Sequence, residues 1–150
     1  MMDVEIFCDG ACLGNPGPGG WAALLVAIKS DKRHEKSVSG GEKLTTNNRM
    51  ELTAAIEGLR ALKQPSKVIV FSDSQYVVRG MNEWIKNWIA NEWRTSSRKR
   101  VENVDLWQVL AAVANEHATS WRWVKGHAGH PENERVDQAA REEAEKQRRP

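Results

Sequence analysis

At 150 residues, 40% hydrophobic and 28% charged, the chain has the make-up of a soluble globular domain. A domain of that length can bury about 68–70% of its unfolded surface without disulfide or metal staples. No apolar run approaches the roughly 18 residues of a membrane span, and the opening MMDVEIFCDG lacks the basic and apolar regions of a secretory signal, so a cytoplasmic location is expected. Cys8 and Cys12 form a CxxxC pair with no second pair, which points to free thiols rather than a structural zinc or a disulfide framework. The formal charge of +2 is too small to define a partner.

The chain opens with strand patterns. Residues 3–9 alternate, Val4, Ile6 and Cys8 against Glu5, Phe7 and Asp9, and end in the turn-rich GACLGNPGPGG. Residues 21–28 and 34–40 supply two more strands, and their short connections predict an antiparallel meander. TTNN then offers helix caps ahead of Leu52, Ala55, Ile56, Leu59 and Leu62 at helical spacing, a helix that Pro65 stops. KVIVFSD, residues 67–73, predicts a buried strand with Asp73 at its end.

SQYVVRG and NEWIKNWIANEW predict two helical pieces separated near Gly80, followed by the basic loop TSSRKR. Between Arg79 and Arg100 six basic residues stand against two acidic ones, and this local charge of +4 matters more than the sum over the chain. NVDLWQVLAAVANEH predicts a helix with Leu106, Trp107, Leu110 and Val113 on one face, and TSWRWV alternates as a strand. PENERVDQAAREEAEKQRR reads as a final charged helix opened by proline. With no internal repeat and no long linker, residues 1–150 are expected to form a single α/β domain, one mixed sheet with helices on its faces.

Four carboxylates fall near element ends: Asp9 after the first strand, Glu51 in the first turn of the first long helix, Asp73 after the fourth strand and Asp137 early in the last helix. Crevices at strand ends are favoured ligand sites in α/β sheets, and oxygen-rich clusters suit Mg²⁺ or Mn²⁺. Taken singly and from spacing alone, each is more commonly an ordinary surface carboxylate, since the chain carries 20 Asp and Glu.

IFCDGACLGNPGPGGWAA, TTNNRMEL, SDSQYV, NVDLWQ and WVKGHAGHPENERVDQAA follow one another in that order. Together they closely resemble the bacterial type 1 ribonuclease H family, from about Val4 to Ala144. The resemblance implies a ribonuclease H-like fold, a five-stranded mixed sheet of three antiparallel and two parallel strands flanked by helices. It also implies an endonuclease that hydrolyses the RNA strand of RNA–DNA hybrids, leaving 5′-phosphate and 3′-hydroxyl ends. On that resemblance Asp9, Glu51, Asp73 and Asp137 are the metal-binding set, for two Mg²⁺ ions with Mn²⁺ as the alternative, and His127 is the catalytic histidine. The residue types suit the chemistry: two cations about 3.5–4 Å apart can activate water and stabilise a leaving oxyanion, and imidazole titrates near neutral pH.

The same resemblance assigns Asn15, Asn47 and Gln75 to the RNA strand, where 2′-hydroxyls distinguish RNA from DNA. Taken alone, an Asn before Pro16 or ahead of a helix is more commonly a turn or cap residue. Trp84 and Trp88, four apart on a helix, are with Tyr76 assigned to a channel for the DNA strand, against the default of tryptophan packing in a core. Trp93, Trp107, Trp121 and Trp123 are placed in the core or at its edge. Thr46 and Asn103 match positions that grip a DNA phosphate.

Two departures bear on that grip. Leu44, preceded by Lys43, stands where many relatives carry an arginine, and lysine lacks the bidentate fork of arginine. After Trp88 the charge begins only at Arg94, so hybrid binding is expected to be weaker and less salt-sensitive than in a lysine-rich relative.

Two other function classes compete: a catalytically silent nucleic-acid-binding module, and a metal nuclease acting on DNA junctions or transposon ends. A silent binder has no use for four uncompensated carboxylates, and the amide and tryptophan sets favour hybrid recognition over DNA junctions. No obligate protein partner and no membrane association are expected, and a monomer is. HAGHPENERVD sets His127 and His130 three apart, yet no CxxC accompanies them as a structural zinc would require, so His130 reads as a loop residue before Pro131.

Overall fold

The computed structural model describes residues 1–126 and 130–150. Strands β1 (Met2–Cys12), β2 (Gly17–Lys29) and β3 (Lys32–Thr45) form the antiparallel meander. Each is longer than side-chain alternation predicts, because backbone pairing continues through the glycines of β2 and β3 that carry no hydrophobic signal. Strands β4 (Ser66–Ser72) and β5 (Ala118–Trp123) add in parallel beyond β1, giving the order β3-β2-β1-β4-β5. Three antiparallel and two parallel strands are the arrangement the motifs imply.

Helices cover both faces. Helix α1 (Asn47–Arg60) and α4 (Val104–Ala114) cover one, where Ile6, Leu52, Leu59, Val68, Val70, Trp107 and Leu110 are fully or almost fully buried. Helix α5 (Pro131–Arg148) covers the other, seating Val136 and Ala140 on Phe7, Ala22, Leu24 and Val26. The second face of β1, which alternation reads as half polar, is therefore buried too, and Phe7 stacks on Phe71 of β4 with ring centroids 5.0 Å apart. Among the described residues no helix is long and apolar enough to cross a membrane.

The predicted break at Gly80 is absent. Helix α2 (Gln75–Arg79) passes through a π-helical turn (Gly80–Trp84) into α3 (Ile85–Ala90), and Gly80 itself has a helical φ of −57°. Glycine is required for space: a Cβ at Gly80 would stand 2.0 Å from Cη2 of the fully buried Trp107.

Gly80→Ala is thus an overpacking substitution and is expected to cost roughly 1–3 kcal/mol, despite the better helix propensity of alanine. Urea unfolding checks this through a lowered midpoint at unchanged slope. A midpoint equal to or above that of the wild type would contradict the packing.

Candidate active site

The parallel ladder between β1 and β4 ends at the pair Cys8 and Ser72. The next residue on each strand is an aspartate. Asp9 does not end its strand, as the alternation suggested: β1 runs on to Cys12 against β2, with Asp9 opposite Ala22. It sits where β1 loses its partner β4 but keeps β2, and Asp73 sits where β4 turns into α2, capped by Ser74. Strand ends of this kind open the crevice in which α/β sheets hold ligands.

Glu51 arrives from the other side. Thr46 caps α1, its Oγ1 accepting from the Arg49 N–H at 3.3 Å, and places Glu51 at the buried underside of the helix. The helix lies directly on β1 at Gly10, where a Cβ would stand 2.5 Å from the Glu51 nitrogen. The Gly10 N–H donates to Oε1 of Glu51 and to Oδ1 of Asp9, the latter at 2.9 Å. Ligand oxygens of Asp9, Glu51 and Asp73 consequently lie within 4.8 Å of one another.

Crowding has an electrostatic cost. Burial raises the Asp9 pKa to about 8; a hydrogen bond with Glu51 pulls it back in part, and the charges of Asp73 and Asp137 push it up. Burial, then the charges of Asp9 and Asp73, hold Glu51 well above the ordinary carboxylate range. Among the described residues no Lys, Arg or His makes an ion pair with any of the three. The Cys8 thiol beneath them is raised by burial first and then by the same carboxylates, so it is a poor nucleophile.

Asp137 is adjacent rather than inside the cluster. It is half-buried on α5, near enough for its charge to raise Asp9, and its Oδ2 pairs with Nη2 of Arg141 at 2.9 Å. His127 lies outside the described residues. His130 takes the N-cap position of α5 with no side-chain cap hydrogen bond, in keeping with its reading as the residue before the turn at Pro131.

The residues assigned to substrate form two groups. Asn15 Oδ1 accepts from the Asn47 N–H at 2.9 Å, joining the β1–β2 turn to the start of α1, and Asn47 is the first helical residue rather than the cap. Gln75 is exposed at the start of α2, beside Asp73. Tyr76, Trp84 and Trp88 are half-buried and together: Tyr76 to Trp84 is 6.2 Å and Trp84 to Trp88 5.7 Å between centroids. Asn103, in the left-handed region at φ 59°, joins them through a 3.1 Å hydrogen bond to the Tyr76 hydroxyl. Leu44 is 75% exposed at the end of β3.

Several contributors escaped the sequence reading. Trp107 is fully buried, as the core placement expects, but it is also the floor of the aromatic group, 5.3 Å from Tyr76 and 5.1 Å from Trp88, which the sequence did not signal. Trp123, placed in the core or at its edge by sequence, is 46% exposed, and its indole N–H anchors the backbone carbonyl of Asp73 at 3.0 Å. Arg49 bridges α1 to α4 through Asp105 and Asn103. Its place in the motif TTNNRMEL was the one signal available, and nothing local pointed to its partners.

A model of the RNase H family matches residues 1–145. The ribonuclease H of Hahella chejuensis is 60% identical over 140 residues, covering 93% of this chain and 92% of that protein. The crystal structure of LC9-RNase H1, a type 1 RNase H with the type 2 active-site motif, superposes with a TM-score of 0.88 at 36% identity. That match covers 97% of this chain and 74% of the other. LC11-RNase H1, solved in complex with RNA/DNA hybrid, shares the fold at a TM-score of 0.67 and 23% identity, covering 95% of this chain and 97% of that one. The chain belongs to the ribonuclease H family and is a nuclease by enzyme class.

The raised pKa of Asp9 has a pH signature. Between about pH 4, where an unfolded aspartate titrates, and about pH 8 the folded state holds a proton that the unfolded chain has lost. This stability is complete below the unfolded pKa and lost as pH rises through the folded one. Asp9→Asn removes the contribution of Asp9 to this dependence and relieves Glu51 of its charge, so in EDTA at pH 8 it is expected to melt above wild type by a few degrees, on the order of 3–5 °C for 1–2 kcal/mol. The gap should close toward pH 4. An equal or lower melting temperature for Asp9→Asn at pH 8 would contradict the electrostatic strain.

Proposed function

We propose that the chain is an endonuclease hydrolysing the RNA strand of RNA–DNA hybrids, leaving 5′-phosphate and 3′-hydroxyl ends, with Mg²⁺, or Mn²⁺ in its stead, at two sites formed with substrate. The observation that carries this reading is the set of three carboxylates whose oxygens lie within 4.8 Å, with no ion pair to a basic side chain among the described residues. Such a set fits a hard divalent cation, because oxygen ligands and uncompensated negative charge are what Mg²⁺ binding requires. A cleft of this charge repels a phosphodiester unless a cation is present.

When bound, the cations supply Lewis-acid stabilisation and a water nucleophile at neutral pH. The protein residues do the remainder. Asp9 within β1 and Asp73 just past the end of β4 hold the central position, Glu51 orients from the underside of α1, and Asp137 completes the second position from α5. Gly10 and Trp123 keep the carboxylates in place through the backbone. His127 moves a proton at the leaving or attacking oxygen.

Substrate binding follows from the two side-chain groups. Asn15, Asn47 and Gln75, all exposed, present short amides to the RNA strand, donors and acceptors both suited to 2′-hydroxyls. Tyr76, Trp84 and Trp88 offer rings to the deoxyribose side, and Thr46 with Asn103 stands at the phosphate grip. LC11-RNase H1, of the same fold, was solved with such a hybrid bound. The setting proposed is a cytoplasmic monomer clearing RNA from hybrids such as primers and R-loops, with no obligate protein partner.

The test uses end-labelled RNA–DNA hybrid, double-stranded RNA and double-stranded DNA with Mg²⁺. Wild type is expected to cleave RNA in the hybrid alone, and Asp9→Asn to lose at least roughly 10²–10³-fold in rate. Hybrid binding without cleavage by the wild type would favour a silent binding module and contradict the proposal.

A further inference from the structure

A chain of hydrogen bonds with only one possible polarity runs from α1 to the aromatic group. Arg49, on α1, places its guanidinium against Asp105 of α4, with Nη2 to Oδ2 at 2.7 Å and Nη1 to Oδ1 at 3.0 Å. The same Nη1 donates to Oδ1 of Asn103 at 3.2 Å. Arginine has no acceptor, so the Asn103 amide must turn its oxygen to Arg49 and its nitrogen away. That nitrogen lies 3.1 Å from the Tyr76 hydroxyl, which accepts from it.

Tyr76 is also approached by the indole N–H of Trp107 at 2.9 Å, and indole too only donates. Both acceptor positions of the phenol oxygen are then taken, and its hydrogen has no acceptor among the described residues. The backbone at Asn103 supports this assignment. It occupies the N-cap of α4, where an asparagine side chain ordinarily caps the helix, yet it makes no cap bond and is committed to Arg49 and Tyr76 instead.

We propose that Arg49 is a positioning residue which, by fixing the Asn103 amide, makes the Tyr76 hydroxyl an obligate donor to a non-bridging phosphate oxygen of the DNA strand. The inference rests on the hybrid reading above and adds to it an atom, a direction and the residue that sets the direction. A phosphate oxygen accepts and never donates, which is the property the hydroxyl demands. Without Arg49 the Asn103 amide is free to reverse, presenting its oxygen to Tyr76 and taking the hydroxyl hydrogen away from the substrate. Arg49 thus acts through a neighbour and not by touching the nucleic acid.

Steady-state cleavage of an RNA–DNA hybrid with Mg²⁺ is measured for wild type, Tyr76→Phe, Arg49→Met and the double variant, each confirmed by thermal melting to be folded at the assay temperature. Each single substitution is expected to raise KM about 10-fold, the scale of one hydrogen bond to a charged group, with kcat within about twofold. The double variant should be no worse than the poorer single, since both changes remove one contact. Hybrids carrying a single methylphosphonate at successive DNA linkages give the second readout. Wild type should weaken at one linkage where Tyr76→Phe and Arg49→Met show no further loss.

Unchanged KM, effects that multiply in the double variant, or the same methylphosphonate profile in all proteins would overturn the inference while leaving hybrid cleavage intact. Arg49→Met keeps the Tyr76 to Trp107 bond, so it remains informative if Tyr76→Phe loses stability. A wild type that cleaves no hybrid would overturn the underlying reading and this inference with it.

Discussion

Three carboxylates with no basic partner among the described residues cannot be brought together, two of them buried, without a cost, and the central part of this protein is arranged to impose that cost. Asp9 and Asp73 follow the last pair of one parallel ladder, so neither can move without moving a strand. Glu51 is pressed against them because α1 rests on the bare Cα of Gly10. The resulting burial and repulsion push Asp9 to about 8 and Glu51 upward as well. Such strain is retained where a ligand relieves it, and a divalent cation does so directly.

The surrounding structure holds this constraint in place. The meander fixes β1 on one side and β4 fixes it on the other, while α5 seals the second face over Phe7 and brings Asp137 to the edge of the cluster. Trp107 links the site to the aromatic side: its ring fills the space left by Gly80, lies under Trp88, and its N–H holds Tyr76. Arg49 ties the first turn of α1 to the first turn of α4, so the elements that carry Glu51 and Asn103 share one ion pair. The carboxylate cluster and the aromatic group are thereby held by one connected framework rather than by independent loops.

Much of this was readable from the residues. Alternation and helical spacing located every strand and long helix, and the five motif blocks named the carboxylates before any geometry was known. What could not be read was contact between elements distant in sequence. Asp9 was placed at a strand end because hydrophobic alternation stops there, whereas the strand persists through hydrogen bonds to β2 that leave no trace in side-chain type. Glycine disfavours helix and so predicts a break at Gly80, yet its role is to admit an indole from α4. Gly10 looked like part of a turn. Trp123, expected in the core or at its edge, is 46% exposed, and its N–H holds the Asp73 carbonyl, a contact that nothing local signals.

The central claim is that the strained carboxylates form a divalent-cation site. Its most direct measurement is the melting temperature of wild type and Asp9→Asn at pH 8 and fixed ionic strength, in EDTA and then in about 10–20 mM Mg²⁺, since a ligand bound only by the folded state raises stability by mass action. Mg²⁺ is expected to raise the melting temperature of wild type by several degrees and to leave Asp9→Asn nearly unchanged. No rise in wild type, or an equal rise in both, would contradict it.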